Sequence, residues 1–323
     1  MANSPARNVF AGMIPALMTP TKDDGTPDLD QLVVVATDLV ARGATGVVYA
    51  GSMGEWPLLS DEVRMEGVAR LCAAGISVVV GTGHPNPRVA AHIAAHAKSV
   101  GAAGLMIIPR QSSRVSIPSA QRTHFASVLE AGAPLPAVSY NSPYYGYSMT
   151  PDMFRSLRQD HDNLVGFKEF GGANDLTRDA QFITSGDPDL SLLVGVDTQV
   201  THGFLNCNAV GAITGIGNVF PEAVSYLLRL CVFARESSQR VSEARQLAFE
   251  LERAMMELAK FDEGPDLVLY YKHLMDLAGV SGYKVPILPG DTLSPTQTAF
   301  ATQQFAQFNT FWADWDGKNF LTT

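Results

Sequence analysis

Leu164-Val165-Gly166-Phe167-Lys168-Glu169-Phe170 is an apolar run that carries one lysine near its end and is closed by Gly171-Gly172. Strand-prone and small residues lead into Lys168, so the run reads as a buried β-strand with the lysine at its carboxyl end. A free lysine titrates near pH ~10.4. Apolar surroundings favour the neutral amine, the form that attacks carbonyl or imine carbon. The plainer reading is a lysine that snorkels out of a strand end or pairs with Glu169, and the rest of the chain has to decide between the two.

Working outward, seven more short β-rich runs stand at Met13–Met18, Gly46–Ala50, Ser77–Gly81, Gly104–Ile108, Pro136–Tyr140, Leu192–Val196 and Ala212–Ile216. Between the runs lie Leu29–Arg42, Ser60–Ala74, Pro87–Val100, Ser116–Ala131, Thr150–Asp160, Asn174–Ser185 and Thr198–Asn208, mostly amphipathic, several opening on Ser, Thr or Pro. Strand starts recur about every thirty residues and the runs are nearly continuously apolar, as parallel strands covered on both faces should be. Eight such units predict a closed (β/α)8 TIM barrel. An open doubly wound sheet is the alternative, but no Gly-x-Gly-x-x-Gly turn follows the first strand.

After the eighth run, Pro221–Leu258 and Asp266–Leu277 are helical in pattern, with Gly264-Pro265 between them. The expected organisation is a barrel over 9–220 and a helical C-terminal extension over 221–316. Phe300, Phe305, Phe308, Phe311, Trp312 and Trp315 read as anchors that pack the last helix onto the barrel or a neighbouring subunit. Gly317–Thr323 reads as a frayed end.

The 323 residues are 46% hydrophobic and 17% charged, enough for a sizeable core, and a net charge of −9 with no basic block argues against nucleic acid or an anionic membrane as partner. The three scattered cysteines, Cys72, Cys207 and Cys231, argue against a disulfide framework. The N-terminus lacks a signal-like pattern and no run approaches a membrane span, so a cytoplasmic location is expected. His92 and His96 have the i, i+4 spacing of a zinc pair, but no Glu follows His92 and a third ligand is missing, which favours a helix-surface pair.

Barrel chemistry gathers at the carboxyl ends of the strands. The second run ends in Gly51-Ser52-Met53-Gly54-Glu55, whose amides and Ser52 hydroxyl can hold a carboxylate. The fifth ends in Tyr140-Asn141-Ser142-Pro143-Tyr144-Tyr145-Gly146, which brings phenols to the rim where Lys168 stands, and a phenol can carry protons for a carbinolamine. The eighth ends in a glycine-rich turn, Gly211 to Asn218, that could cradle a phosphate but has no lysine or arginine beside it.

The motifs Gly-x-x-Gly-Glu (Gly51–Glu55), Tyr-Asn-x-Pro (Tyr140–Pro143), Gly-x-Lys-Glu (Gly166–Glu169) and Gly-x-Ile-x-x-x-x-Asn (Gly211–Asn218) occur in the order and spacing that resemble the dihydrodipicolinate synthase and N-acetylneuraminate lyase family. The resemblance spans Val9 to Leu277. It implies a (β/α)8 barrel with a helical extension, usually a homotetramer, acting on small 2-oxo or imino acids with no cofactor and no metal. It further implies that Lys168 forms the Schiff base, that Tyr140 is the proton-shuttling phenol and that Ser52 binds the substrate carboxylate. Gly51, Met53 and Tyr145 then belong to the substrate pocket, with Gly195, Asp197 and Ile213 at its rim.

Departures from the family pattern point to a branch. Synthases of this family carry Gly-Thr-Thr-Gly-Glu, a tyrosine pair after the fourth strand and an arginine after Tyr-Asn-x-Pro. Here Met53, Pro109-Arg110-Gln111-Ser112 and Tyr145 stand in those places. Gly51–Leu59, Tyr140–Gly146 and Phe261–Leu267 resemble the branch that deaminates Δ1-pyrroline-4-hydroxy-2-carboxylate to 2-oxoglutarate semialdehyde and ammonia in hydroxyproline degradation. The alternatives are 4-hydroxy-tetrahydrodipicolinate synthesis and dehydration or aldol cleavage of a 2-oxo-3-deoxy sugar acid. Glu55 and Glu169 are candidate electrostatic partners, and Arg110 and Arg114 candidate cations from the fourth loop.

Overall fold

A computed structural model describes residues 9–111 and 117–322. Its eight strands are β1 (Gly12–Pro15), β2 (Val47–Tyr49), β3 (Val78–Gly81), β4 (Gly104–Ile107), β5 (Ala137–Asn141), β6 (Leu164–Glu169), β7 (Ser191–Val194) and β8 (Gly211–Thr214). Each pairs in parallel with its neighbours in the order β1-β8-β7-β6-β5-β4-β3-β2. A parallel bridge between Ala16 and Val48, with the Leu17 amide donating to the Val48 carbonyl at 2.8 Å, closes the two ends into a (β/α)8 barrel. From β2 onward every strand residue is buried, the pattern of strands covered on both faces.

The crossover helices are α1 (Leu29–Ala41), α2 (Asp61–Ala73), α3 (Pro87–Ser99), α4 (Pro118–Gly132), α5 (Pro151–Asp160), α6 (Ala173–Asp179) and α7 (Val200–Asn206). Side-chain oxygens of Asp28, Ser60, Asn86 and Thr150 cap the starts of α1, α2, α3 and α5, satisfying amides that have no partner within the helix. After α6 the backbone continues as a π-helix over Ala180–Thr184.

The helical stretch expected over Pro221–Leu258 is two helices, α8 (Pro221–Glu236) and α9 (Val241–Ala259). The break falls at Ser237, whose hydroxyl donates to the Gln239 carbonyl and accepts from the Gln239 amide, a local turn that competes with helix, and Arg240 takes φ 52°. Helix α8 packs against β1 and α7 and so completes the ring around the barrel. Helices α10 (Leu267–Leu277) and α11 (Pro295–Asp314) follow. On α11, Phe308 meets Phe220 with ring centroids 4.6 Å apart, and beyond its end Trp315 meets Tyr226 at 5.9 Å, while Phe300 is 42% exposed.

The C-terminal end corrects the expectation of fraying. Asp316–Thr322 forms a 3-10 helix whose Phe320 is buried against Phe233. The Tyr226 hydroxyl donates to the Gly317 carbonyl and accepts from the Leu321 amide. An apolar anchor next to the chain end, Phe320, is what holds this segment down. No helix among the described residues is long and apolar enough to cross a membrane.

Candidate active site

Parallel register sets Tyr140 of β5 directly beside Lys168 of β6. Both are buried, and the Lys168 Nζ sits 3.9 Å from the centroid of the Tyr140 ring. Burial pushes the lysine down to about 7, with the charges of Asp262 and Asp197 pulling the other way. A substantial share of neutral amine is therefore present near neutral pH. Space for the side chain depends on Gly195 at the end of β7, where a Cβ would come within 2.8 Å of Lys168 Cε.

Burial also holds the Tyr140 phenol well above its ordinary value, and the hydroxyls of Ser142 and Ser52 offset part of that effect. The phenol stays neutral and keeps a proton to give. Ser52 Oγ lies 2.5 Å from the Tyr145 hydroxyl, which also accepts from Trp56 Nε1 at 3.4 Å. Tyr140 and Tyr145 meet edge to face at 5.6 Å. The turn that presents Ser52 is bounded by Ala50 and Glu55, both at positive φ, a conformation costly for residues with a Cβ.

One cavity gathers Lys168 and Tyr140 with Gly51, Ser52, Met53, Gly195 and Ile213, so seven of the nine residues assigned from sequence share its wall, and Asp197, expected at the rim, does not line it. Tyr145 does not line it either. It stands behind Tyr140 and Ser52, while Tyr144 faces the cavity and donates its hydroxyl to the Asp262 carbonyl. Among the described residues Lys168 is the only cation on the wall, which Met106 and Phe170 help make apolar.

Asp262, on the segment between α9 and α10, lines the same cavity. Behind it lies Asp197, whose Oδ2 accepts from the amides of Gly215 at 2.7 Å and Ile216 at 2.9 Å, and whose own amide donates to Asp262 Oδ2 at 3.2 Å. The two carboxyls lie close enough to influence each other's ionisation, and burial raises both. Carboxyls in such contact share a proton, because both cannot ionise together. Gly215 is required here, since a Cβ would come 2.6 Å from Asp262 Oδ1. The glycine-rich turn after β8 thus spends its amides on Asp197, so they are not free for a phosphate.

The remaining candidates lie apart from the lysine. Glu169 occupies the opposite face of β6, where Oε1 accepts from the Gly171 amide at 2.6 Å and Oε2 from Asn141 Nδ2 at 3.1 Å. Burial and the neighbouring Asp179 raise it to about 9. Glu55 forms a buried ion pair with Lys272 of α10. Arg110 donates to the Pro85 carbonyl at 2.9 Å and does not line the cavity, and Arg114 lies outside the described residues.

Sequence reasoning assigned no role to Asp262 or Lys272. Two signals pointed to them: an acidic pair, Asp262-Glu263, directly before the Gly264-Pro265 break, and a single lysine within the apolar stretch Leu267–Leu274. Neither segment belongs to a barrel strand, so the periodicity that located the other residues says nothing about where these side chains fall.

A buried lysine of lowered pKa against a phenol, at the carboxyl rim of a (β/α)8 barrel, defines the Schiff-base lyases of the class I aldolase type. The chain belongs to the dihydrodipicolinate synthetase family, whose model matches residues 9–303. It is 31% identical to the 4-hydroxy-tetrahydrodipicolinate synthase of Chelativorans sp. strain BNC1 over 78% of this chain and 83% of that protein. Among solved structures it resembles the 4-hydroxy-tetrahydrodipicolinate synthase of Methylacidiphilum fumariolicum SolV, with TM-score 0.82, 23% identity, and 94% and 97% of the two chains covered. It also resembles YagE, a prophage protein of Escherichia coli K12 solved in complex with pyruvate, with TM-score 0.79, 23% identity, and 93% and 99% covered. At these identities the structural likenesses speak for the fold.

Proposed function

We propose that Lys168 forms a Schiff base with C2 of a small substrate bearing one carboxylate, and that the reaction is deamination of Δ1-pyrroline-4-hydroxy-2-carboxylate to 2-oxoglutarate semialdehyde. The observation that carries this reading is the cavity wall. Among the described residues it holds no arginine and no second lysine to pair with a second carboxylate, and it presents an acid, Asp262, instead.

In this mechanism the Lys168 amine attacks C2 of the cyclic imine. The C2–N1 bond breaks as N1 takes a proton, leaving a lysine imine with a free amine at the far end. The protonated imine is an electron sink, and the Tyr140 phenolate, formed when the phenol gave its proton to N1, takes a proton from C3 and leaves an enamine. Collapse of the enamine expels the C4 hydroxyl as water. Tautomerisation moves the new double bond next to the terminal amine, and hydrolysis there releases ammonia and leaves the aldehyde. A second hydrolysis frees Lys168. The Ser52 hydroxyl and the turn amides of Gly51–Met53 hold the carboxylate, while Ile213 and Gly195 shape the rim. Tyr145 acts through Ser52, and assembly as a homotetramer is part of this reading.

A second reading is favoured by the names of the relatives: condensation of pyruvate with aspartate semialdehyde, as in 4-hydroxy-tetrahydrodipicolinate synthase. Side-by-side assays separate the two. Ammonia and semialdehyde formed from the pyrroline at a kcat/KM well above that of the condensation is the expected result. Condensation at a comparable or higher kcat/KM would replace the deaminase with the synthase.

A further inference from the structure

The reaction proposed above needs an acid for the departing C4 hydroxyl, and Tyr140 already serves C3. Lys168 is flanked on the β5 side by Tyr140 and on the side of β7 and β8 by Asp262 and Asp197. Asp262 is the carboxyl that reaches the cavity. Asp197 is anchored behind it by two backbone amides on Oδ2 and by its own amide on Asp262 Oδ2, and its Oδ1 is buried with no hydrogen-bond partner among the described residues. A carboxyl pair in contact requires one proton, and only one end of this pair opens toward the lysine.

We infer that Asp262 is the acid that protonates the leaving hydroxyl, with Asp197 as the positioning residue that keeps a proton on the pair. This inference rests on the Schiff-base reading above. In the step itself, the enamine nitrogen re-forms C2=N, the C2=C3 electrons become C3=C4, and the C4–O bond breaks with its electron pair on oxygen. That oxygen takes the proton of the pair and leaves as water. The hydrogen taken from C3 stays on Tyr140, and the pair, left one proton short, regains its proton from water in the hydrolyses that follow, so that one hydrogen from C3 and one hydroxyl from C4 have left the substrate. A buried carboxylic acid, held above the ordinary carboxylate range by desolvation and by its neighbouring carboxyl, is suited to this step, and the tight fit of Gly215 against Asp262 fixes where it points.

The test is Asp262→Asn, which keeps the shape and removes the acid, assayed on the 4-hydroxy pyrroline and on its 4-chloro analogue, whose chloride leaves without a proton. Borohydride trapping with pyruvate reports an intact Lys168 site. The expected result is normal trapping, a fall of ~10²-fold or more in ammonia release from the hydroxy substrate, and less than ~10-fold loss of chloride release. Equal losses on both substrates with trapping intact would overturn the assignment, as would an unchanged rate on the hydroxy substrate. Asp197→Asn provides a second variant. It should show the same leaving-group contrast, and an unaltered rate would remove Asp197 from the relay. If the wild type releases no ammonia from the pyrroline but dehydrates a 2-oxo-3-deoxy pentonate in an Asp262-dependent way, the substrate reading fails and the acid stands. If neither substrate loses water, both fall.

Discussion

Lys168 and Glu169 are neighbours in the chain, both buried, and both pushed toward the neutral form, the lysine down to about 7 and the glutamate up to about 9. The strand turns them to opposite faces and so to different fates. Behind the strand, Glu169 has both oxygens taken by Asn141 and Gly171, and Arg178 and Asp179 close around it. In front, the Lys168 amine lies over the face of an aromatic ring, feels the charge of the neighbouring acid pair, and opens on a cavity. Burial alone is therefore no mark of a reactive group. A group becomes available for chemistry when its desolvation is not also satisfied by fixed partners.

The contrast is broken most severely at Lys168. Lys168→Ala should abolish turnover, with a loss of at least ~10³-fold, while the circular dichroism spectrum and unfolding midpoint stay near those of the wild type. Tyr140→Phe keeps the ring over the amine and removes the proton carrier. A fall in kcat of ~10²- to 10⁴-fold is expected, with a much smaller effect on substrate binding measured by calorimetry.

The two pKa directions sharpen the comparison. Below about pH 7 the Lys168 amine is protonated and cannot attack, so the rate of imine formation should rise about tenfold per pH unit up to about pH 7 and level off above it. A rate still climbing at pH 9 would mean an ordinary lysine. Glu169 has a raised folded-state pKa, so the folded protein binds the extra proton between about pH 4.5 and about 9. Its contribution to stability is complete below that window and lost as pH rises through it. Relative to Glu169→Gln, which does not titrate, the wild type should lose stability across this range in denaturant melts at several pH values.

The smallest effect belongs to the closed face. Below about pH 4.5, where the wild-type carboxyl carries its proton, Glu169→Gln should change stability by less than ~1 kcal/mol, because the amide can occupy the place of a protonated carboxyl, and activity should change by only a few-fold. Glu169→Ala, which strands the Asn141 and Gly171 donors, should cost ~2–4 kcal/mol in urea melts.

How much of this could be read from sequence depends on what fixes each residue. Lys168, Tyr140, Ser52, Gly195 and Ile213 end or directly follow strands, so the repeating β-α pattern and the parallel register bring them to one rim without further information. Tyr145 stands behind the cavity wall rather than on it, because a 3-10 turn over Pro143–Tyr145 turns Tyr144 toward the cavity instead. Asp262 and Lys272 come from the extension, and their placement follows from how α9 and α10 dock over the barrel, which no local pattern encodes. The same holds for Phe320, which holds down the terminal segment through a contact with Phe233, 87 residues back along the chain.

The most direct test is borohydride reduction of the protein in the presence of pyruvate, followed by peptide mapping. A single adduct of reduced pyruvate mass is expected on the peptide that contains Lys168, absent from Lys168→Ala and formed with a midpoint near pH 7. Unmodified protein, or an adduct on a surface lysine that persists in Lys168→Ala, would contradict it.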